Sequence, residues 1–243
     1  MDVRQLGRTG IKATVLSYGC GAVGGLMTKG EPADQEKAFR RGLDMGISYF
    51  DTAAQYGNGT SETNVGRILA KLKPKITLAT KVRIKEADYG NLGPATRASL
   101  DASLDRLGLK SVDIFYLHNR IAAKTEGDAL SVEAVLGEVR DTFEALRKAG
   151  KIRHLGITAL GDTAALLKVV TSGAYDVAQI CFNALNPSAG LGSLLVGYPG
   201  QDYQGLMTAA HKAGMGTVGI RVLAGGALSG TRSEEHTSEL QSP

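Results

Sequence analysis

Ile47-Ser48-Tyr49-Phe50-Asp51, Ile76-Thr77-Leu78-Ala79-Thr80-Lys81 and Val112-Asp113-Ile114-Phe115-Tyr116-Leu117-His118 are three short apolar runs, each ending on a side chain that carries or moves charge. Runs of this length, rich in β-branched and aromatic residues, read as strands. Helical segments lie between them. Strands separated by crossover helices run parallel, so their C-terminal ends share one face of the sheet. That face is where an α/β barrel builds its active site. Asp51, Lys81 and His118, with Tyr56 in the loop after Asp51, are therefore expected to converge.

The alternation continues in both directions. Arg4 to Lys12 predicts a small hairpin with Arg8-Thr9-Gly10 near its turn. Val15 to Gly19 predicts the first barrel strand, followed by a glycine-rich loop from Gly21 to Gly30. Helices are expected over Pro32 to Met45, from an N-cap at Ser61 through Leu72, and over Pro94 to Leu107. Past His118, Arg120 to Asp128 reads as an exposed loop, and Val132 to Ala149 as one long helix closed by Gly150. Ile152 to Thr158 and Val177 to Phe182 are the fifth and sixth strands, with a short helix capped by Asp162 between them. Asn186 to Gly200 is a longer loop than a barrel connection needs. Asp202 to Ala213 is a helix and Thr217 to Val222 a seventh strand.

The expected fold class is α/β: an incomplete (β/α)8 TIM barrel with about seven of eight strands and an N-terminal hairpin. An open flavodoxin-like sheet fits less well. It does not usually place reactive groups at the ends of so many successive strands, and its phosphate-binding glycine fingerprint is absent.

The last twelve residues, Arg232 to Pro243, break the pattern, having neither an apolar face nor a β-period. The string resembles the conceptual translation of a common short-read sequencing adapter. On that reading residues 1–231 are a barrel truncated before its last strand, and residues 232–243 are a non-native tail.

Composition narrows the function classes. The chain has 243 residues, enough for one large α/β domain. It has 43% hydrophobic residues without a long apolar run, and no signal-peptide pattern at its start, so a cytoplasmic protein with no membrane span is expected. Two cysteines, Cys20 and Cys181, fall in or beside strands and read as buried thiols. Four scattered histidines offer no metal-ligand spacing, so no metal is expected. A net charge of +4, with dispersed lysines, argues against nucleic acid as a partner.

A phenol, an ammonium, a carboxylate and an imidazole together suit acid catalysis. A free phenol titrates at about 10, too high for an efficient donor at neutral pH. A lysine roughly 4 Å away favours the phenolate by at most about 4 kcal/mol at an effective dielectric near 20, enough to predict a lowered phenol pKa. An aspartate keeps the lysine charged, and a neutral imidazole orients a carbonyl oxygen. The set suits protonating a carbonyl oxygen while a hydride reaches its carbon. Singly, each residue has a structural explanation, and His154 and Glu62 keep theirs.

These residues sit in recognisable surroundings. Phe50-Asp51-Thr52-Ala53-Ala54-Gln55-Tyr56-Gly57 with Ser61-Glu62, then Thr80-Lys81-Val82, Leu117-His118 and Gly150 to Thr158, resemble the aldo-keto reductase signature. The resemblance runs from Val3 to Gly230. It implies that Tyr56 is the general acid, Lys81 tunes it, Asp51 pairs with Lys81 and His118 positions the carbonyl. It implies NADPH as cofactor, with NADH possible, and a small-molecule carbonyl substrate. Thr158, Ala159 and Gln179 match the nicotinamide-carboxamide positions, while Ile220, Arg221 and Leu223 lie in the strand-seven segment beside the cofactor. Ile220 stands where many members carry a stacking aromatic residue. Arg221 is either a pyrophosphate ligand or a solvent-facing strand-end charge. The competing functions are a nucleotide-binding regulatory protein on the same barrel and an inactive fragment of a reductase.

Overall fold

In the computed structural model of the protein, residues 1–21, 25–194 and 197–230 are described. Among them seven strands form one all-parallel sheet: β1 (Tyr18–Gly19), β2 (Tyr49–Asp51), β3 (Thr77–Val82), β4 (Val112–Leu117), β5 (Ile152–Thr158), β6 (Val177–Cys181) and β7 (Gly216–Ile220). They lie side by side in sequence order from β1 to β7. The longer helices between them are α1 (Pro32–Asp44), α2 (Thr60–Leu72), α3 (Leu92–Leu107), α4 (Arg140–Lys148), α5 (Thr163–Thr171) and α6 (Leu206–Lys212). This is the α/β alternation expected of a (β/α) barrel. None of the described helices is long and apolar enough to cross a membrane.

Because side chains alternate across a strand, successive residues feed two different interiors. Phe50, Phe115 and Leu155 point outward and are fully buried with Phe39, Leu100, Phe143 and Leu166 from the surrounding helices. Each such side chain contributes about 1.5–3 kcal/mol by leaving water. Tyr49, Ala79, Ile114, Tyr116 and Val177 point inward, where they meet Leu6, Ile11 and Ala13.

Those last three residues belong to the predicted hairpin, in which Val3–Gln5 pairs antiparallel with Lys12–Thr14. It plugs the end of the sheet where the strands begin. Gly7, at φ +53°, lies against β7 so closely that a Cβ would come within 2.1 Å of the Gly216 nitrogen. Arg8 reaches the carbonyls of Gly173 at 2.8 Å and Tyr175 at 2.6 Å, and pairs with Asp176 at 3.4 Å. Asp176 also accepts from the Leu155 amide at 3.0 Å and faces Arg147 and His154. His154, with no recognisable partner in the sequence, is thus part of this ionic cluster.

Several expected boundaries shift. Only Tyr18–Gly19 of the first strand pairs with β2, because Val15 still belongs to the hairpin, its N–H donating to the Asp2 carbonyl at 3.0 Å. Ser61 does not cap α2. The helix starts at Thr60 from Gly59 at φ +90°, and the Ser61 hydroxyl turns inward to the Cys20 carbonyl, 2.8 Å. Arg120 to Asp128 is not simply an exposed loop. Arg120–Ala122 pairs in parallel with Ala129–Ser131, burying Ile121 and Leu130 completely.

The long helix expected over Val132 to Ala149 is broken. A π-helical turn covers Val135–Val139, with Gly137 at φ −98°, ψ −110°. The Tyr175 hydroxyl donates to the Val135 carbonyl at 2.7 Å within this turn, the kind of side-chain insertion that accompanies a kink. Cys20 and Cys181 are buried free thiols. Residues 22–24, within the glycine-rich loop, residues 195–196, residue 231 and the adapter-like stretch 232–243 lie outside the described residues.

Candidate active site

The C-terminal ends of β2, β3 and β4 bring three of the singled-out side chains to one face. Asp51 ends β2, Lys81 is the penultimate residue of β3, and His118 follows β4 with its amide bonded to the Val82 carbonyl at 2.7 Å. Tyr56 sits in the turn between β2 and α2, its amide donating to the Ala53 carbonyl at 3.1 Å.

Lys81 is the hub and is only 1% exposed. An ammonium has three hydrogens to donate. Here they meet three acceptors: an Asp51 carboxylate oxygen, the Thr52 carbonyl at 2.8 Å and the Tyr56 hydroxyl at 3.1 Å. The second Asp51 oxygen accepts from Gln179 Nε2 at 2.8 Å, and Gln179 Oε1 accepts from the Thr158 hydroxyl at 3.3 Å. The buried ion pair is therefore fully hydrogen-bonded, the condition under which such a pair is tolerated in an interior. His118 stands edge-on to Tyr56, ring centroids 6.1 Å apart and planes at 87°. Its Nδ1 lies 2.7 Å from Gln55 Nε2.

Burial sets the protonation states. Burial alone would push the Lys81 pKa down, but Asp51 and Tyr56 together outweigh it, and the lysine titrates above its ordinary value. Tyr56 is also raised rather than lowered: burial is the largest influence, the Lys81 charge pulls the other way, and Asp51 pushes up again. The lysine charge alone predicts a lowered phenol, but the carboxylate that shares this lysine and the cost of burying a phenolate reverse the sign. Tyr56 is thus a loaded phenol at neutral pH. His118 is driven down to about 3, by burial first and then by Lys81, Arg83 and Arg221, so its imidazole is neutral.

A second layer supports the site. Thr52 and Ser61 share a hydroxyl hydrogen bond of 2.9 Å beneath the turn that carries Tyr56. Glu62 is fully buried, accepting from Thr80 and from Arg106 Nε at 2.8 Å. Its position early in α2 was visible in the sequence, but these partners were not. Gly21 lies against the Tyr56 ring, with space for a Cβ at 3.6 Å. Met27 is buried in a short helix, Leu26–Lys29, so it packs beneath the loop.

The other singled-out residues occupy the same end of the sheet. Thr158 ends β5, with Ala159 fully buried after it, and Gln179 lies within β6. Ile220 ends β7 and is half-buried. Arg221 follows at φ +54°, its carbonyl accepting from Asn183 Nδ2 at 3.1 Å. Its exposed guanidinium makes no ion pair with any described residue. Leu223 is 53% exposed. Gln55 has no role that the sequence motif reveals, since a glutamine in a loop carries no spacing signal. Among the described residues no cluster of His, Cys, Asp and Glu is placed to hold a metal ion.

A model of the aldo/keto reductase family matches residues 15–242. L-galactose dehydrogenase of Arabidopsis thaliana is 29% identical over 163 residues, 66% of this chain and 49% of that protein. L-glyceraldehyde 3-phosphate reductase of Escherichia coli (strain K12) is 29% identical over 247 residues, 95% of this chain and 64% of that protein. The chain thus spans about half to two-thirds of the length of these relatives. An aldo-keto reductase from Bacillus halodurans, solved in its holo form, superposes with a TM-score of 0.74 at 21% identity, over 97% of this chain and 71% of that one. An aldo/keto reductase from Klebsiella pneumoniae, solved with NADP and acetate, gives 0.67 at 20% identity, over 92% and 70%. At these identities the solved structures speak for the fold.

Proposed function

The chain belongs to the aldo/keto reductase family, and from that premise we propose that it is an oxidoreductase that reduces an aldehyde or ketone to an alcohol with NADPH, NADH being the alternative. The observation that carries the reading is the buried Lys81 ammonium, shared between Asp51, the Thr52 carbonyl and the Tyr56 hydroxyl. A buried lysine pair adds little to the stability of a scaffold, whereas a proton donor that passes through a phenolate gains directly from a fixed ammonium beside it.

Tyr56 is the general acid. It carries its proton at neutral pH, and Lys81 stabilises the negative oxygen left when that proton moves to the carbonyl oxygen. Asp51 and Thr52 hold the ammonium at one point, so no reorganisation is needed when charge develops. His118, neutral and edge-on to Tyr56, orients the carbonyl oxygen. The dinucleotide, when bound, supplies the hydride that adds to the carbonyl carbon. Thr158 and Gln179 offer buried polar groups and Ile220 a half-buried apolar surface for its nicotinamide end. Ala159 lies beside Thr158 at the nicotinamide end, and Arg221, without an ion-pair partner among the described residues, offers a cation for the phosphates, with Leu223 in the same segment after β7. This donor set fits an anionic dinucleotide: apolar surface, amide-type partners and an available cation at a single end of the sheet.

The test is NADPH oxidation by the purified 243-residue chain with a panel of aldehydes and ketones, beside Tyr56→Phe. The phenylalanine variant should lose about 100- to 10,000-fold in kcat and keep cofactor binding. Binding without turnover by the unaltered chain points to a nucleotide-binding regulatory protein instead, and equal turnover by Tyr56→Phe overturns the role of Tyr56.

A further inference from the structure

His118 has two ring nitrogens, and in the neutral ring only one of them carries the proton. Which one decides what the ring offers to a carbonyl oxygen: a donor or a lone pair. Nδ1 faces the Gln55 amide at 2.7 Å. Nε2 has no hydrogen-bond partner among the described residues, so it is the nitrogen left for substrate.

The Gln55 amide can meet Nδ1 in either of two ways. With its NH2 toward the ring it donates to a bare Nδ1, and the histidine proton sits on Nε2. Turned over, its oxygen accepts from Nδ1–H and Nε2 is bare. The far end of the amide separates the two. That position is buried and has no hydrogen-bond partner among the described residues. In the first arrangement it holds one carbonyl oxygen without a donor. In the second it holds an NH2 with two unsatisfied hydrogens. Buried orphan N–H groups are the rarer and costlier case, and under-satisfied carbonyls are better tolerated.

We propose that Gln55 is a positioning residue that holds the proton of His118 on Nε2, where it can donate to the substrate carbonyl oxygen. The proposal rests on the carbonyl-reductase reading for its purpose, but not for its geometry. Gln55 directly precedes Tyr56, so one short turn fixes both the general acid and the tautomer of its neighbour. Burial keeps the ring neutral, which makes the tautomer, rather than the charge, the variable to be controlled.

The experiment is nuclear magnetic resonance of the full chain with isotope-labelled imidazole nitrogens, His118 being assigned by the signal lost in His118→Asn. The expected result is a neutral ring protonated on Nε2. Gln55→Glu, which replaces an NH2 donor by a carboxylate acceptor of the same shape, should draw the proton to Nδ1 and raise the His118 pKa. It should also lower kcat by about 10- to 100-fold with unchanged cofactor binding. Gln55→Leu, which neither donates nor accepts, should give a mixture of tautomers and an intermediate kcat. A proton on Nδ1 in the unaltered chain overturns the proposal, as does a Gln55→Glu variant with unaltered tautomer and kcat. If the unaltered chain reduces no carbonyl, the reductase reading falls while the resonance still decides the tautomer.

Discussion

The two ends of one parallel sheet are built to opposite rules. At the end where the strands begin, charges gather into a partnered cluster: Arg8 is spread over the Gly173 and Tyr175 carbonyls and Asp176, which also takes Arg147, His154 and the Leu155 amide. At the end where the strands finish, an ammonium is buried and an imidazole is held neutral. There, among the described residues, the Gln55 amide oxygen lacks a donor and Arg221 lacks an ion-pair partner. The first end is arranged for stability. On the proposed reading, the second accepts unfavourable burial so that proton-carrying groups stand at fixed distances, as expected where a site is built into a fold.

The sharpest way to break that comparison is to remove the buried charge. Lys81→Met should abolish most turnover, about 100- to 10,000-fold, and also cost some stability, because it leaves the Asp51 carboxylate without its cation, held by Gln179 Nε2 alone. Asp51→Ala should cost more stability, about 3–5 kcal/mol in denaturant titration, because the ammonium it strands is the more deeply buried of the two charges. If both variants lose stability equally, the finishing end is as much a structural centre as the beginning end.

At the hairpin end, Gly7→Ala should cost about 2–3 kcal/mol, because the new Cβ meets the β7 backbone and the residue sits at positive φ. Residual activity per folded molecule should not change. A drop in kcat without a drop in melting temperature would show that the two ends are coupled.

Per unit of pH, the smallest effect is the pH dependence. His118 titrates at about 3 when folded and near its ordinary value of 6.5 when unfolded, so the unfolded chain binds the extra proton between those pH values. Stability should fall as pH drops from about 6.5 toward 3, by up to about 1.4 kcal/mol per pH unit. Asp176 is held below its usual range: burial, the largest single influence, pushes it up, but His154, the Leu155 amide, Arg147 and Arg8 together outweigh that. Its contribution is present above the ordinary carboxylate value and is lost as pH falls through the lower folded one. His118→Asn should flatten the first slope and Asp176→Asn the second, both read from melting temperature against pH.

The strand–helix alternation was legible because short apolar runs ending in Asp51, Lys81 and His118 are local signals, and Ile152–Thr158 was bounded to the residue. What escaped depends on contacts distant in sequence. The break at Gly137 is tied to the hydroxyl of Tyr175, which bonds to a carbonyl forty residues back. The inward turn of Ser61 needs the carbonyl of Cys20, and the short pairing of Arg120–Ala122 needs Ala129–Ser131. In the site, the charged residues could be read from their places at strand ends. The direction of the Tyr56 shift could not, because it hangs on burial and on one carboxylate's share of the lysine. Gln55 was invisible for the same reason: its meaning is a distance to His118, sixty-three positions away.

The reach of Arg8 also bears on how the chain is made. Each ladder of the sheet joins strands that follow one another in sequence, so β1 to β6 can assemble while the chain is still being synthesised. The Arg8 contacts span 165 to 205 residues, and the carbonyls it needs lie between Gly173 and Ala213. The hairpin, made before any of these strands, is therefore among the last pieces to dock. Until Ala213 emerges, Leu6 and Ile11 lack the Arg8 anchor that holds them against the inward-facing Tyr49, Ala79, Ile114, Tyr116 and Val177.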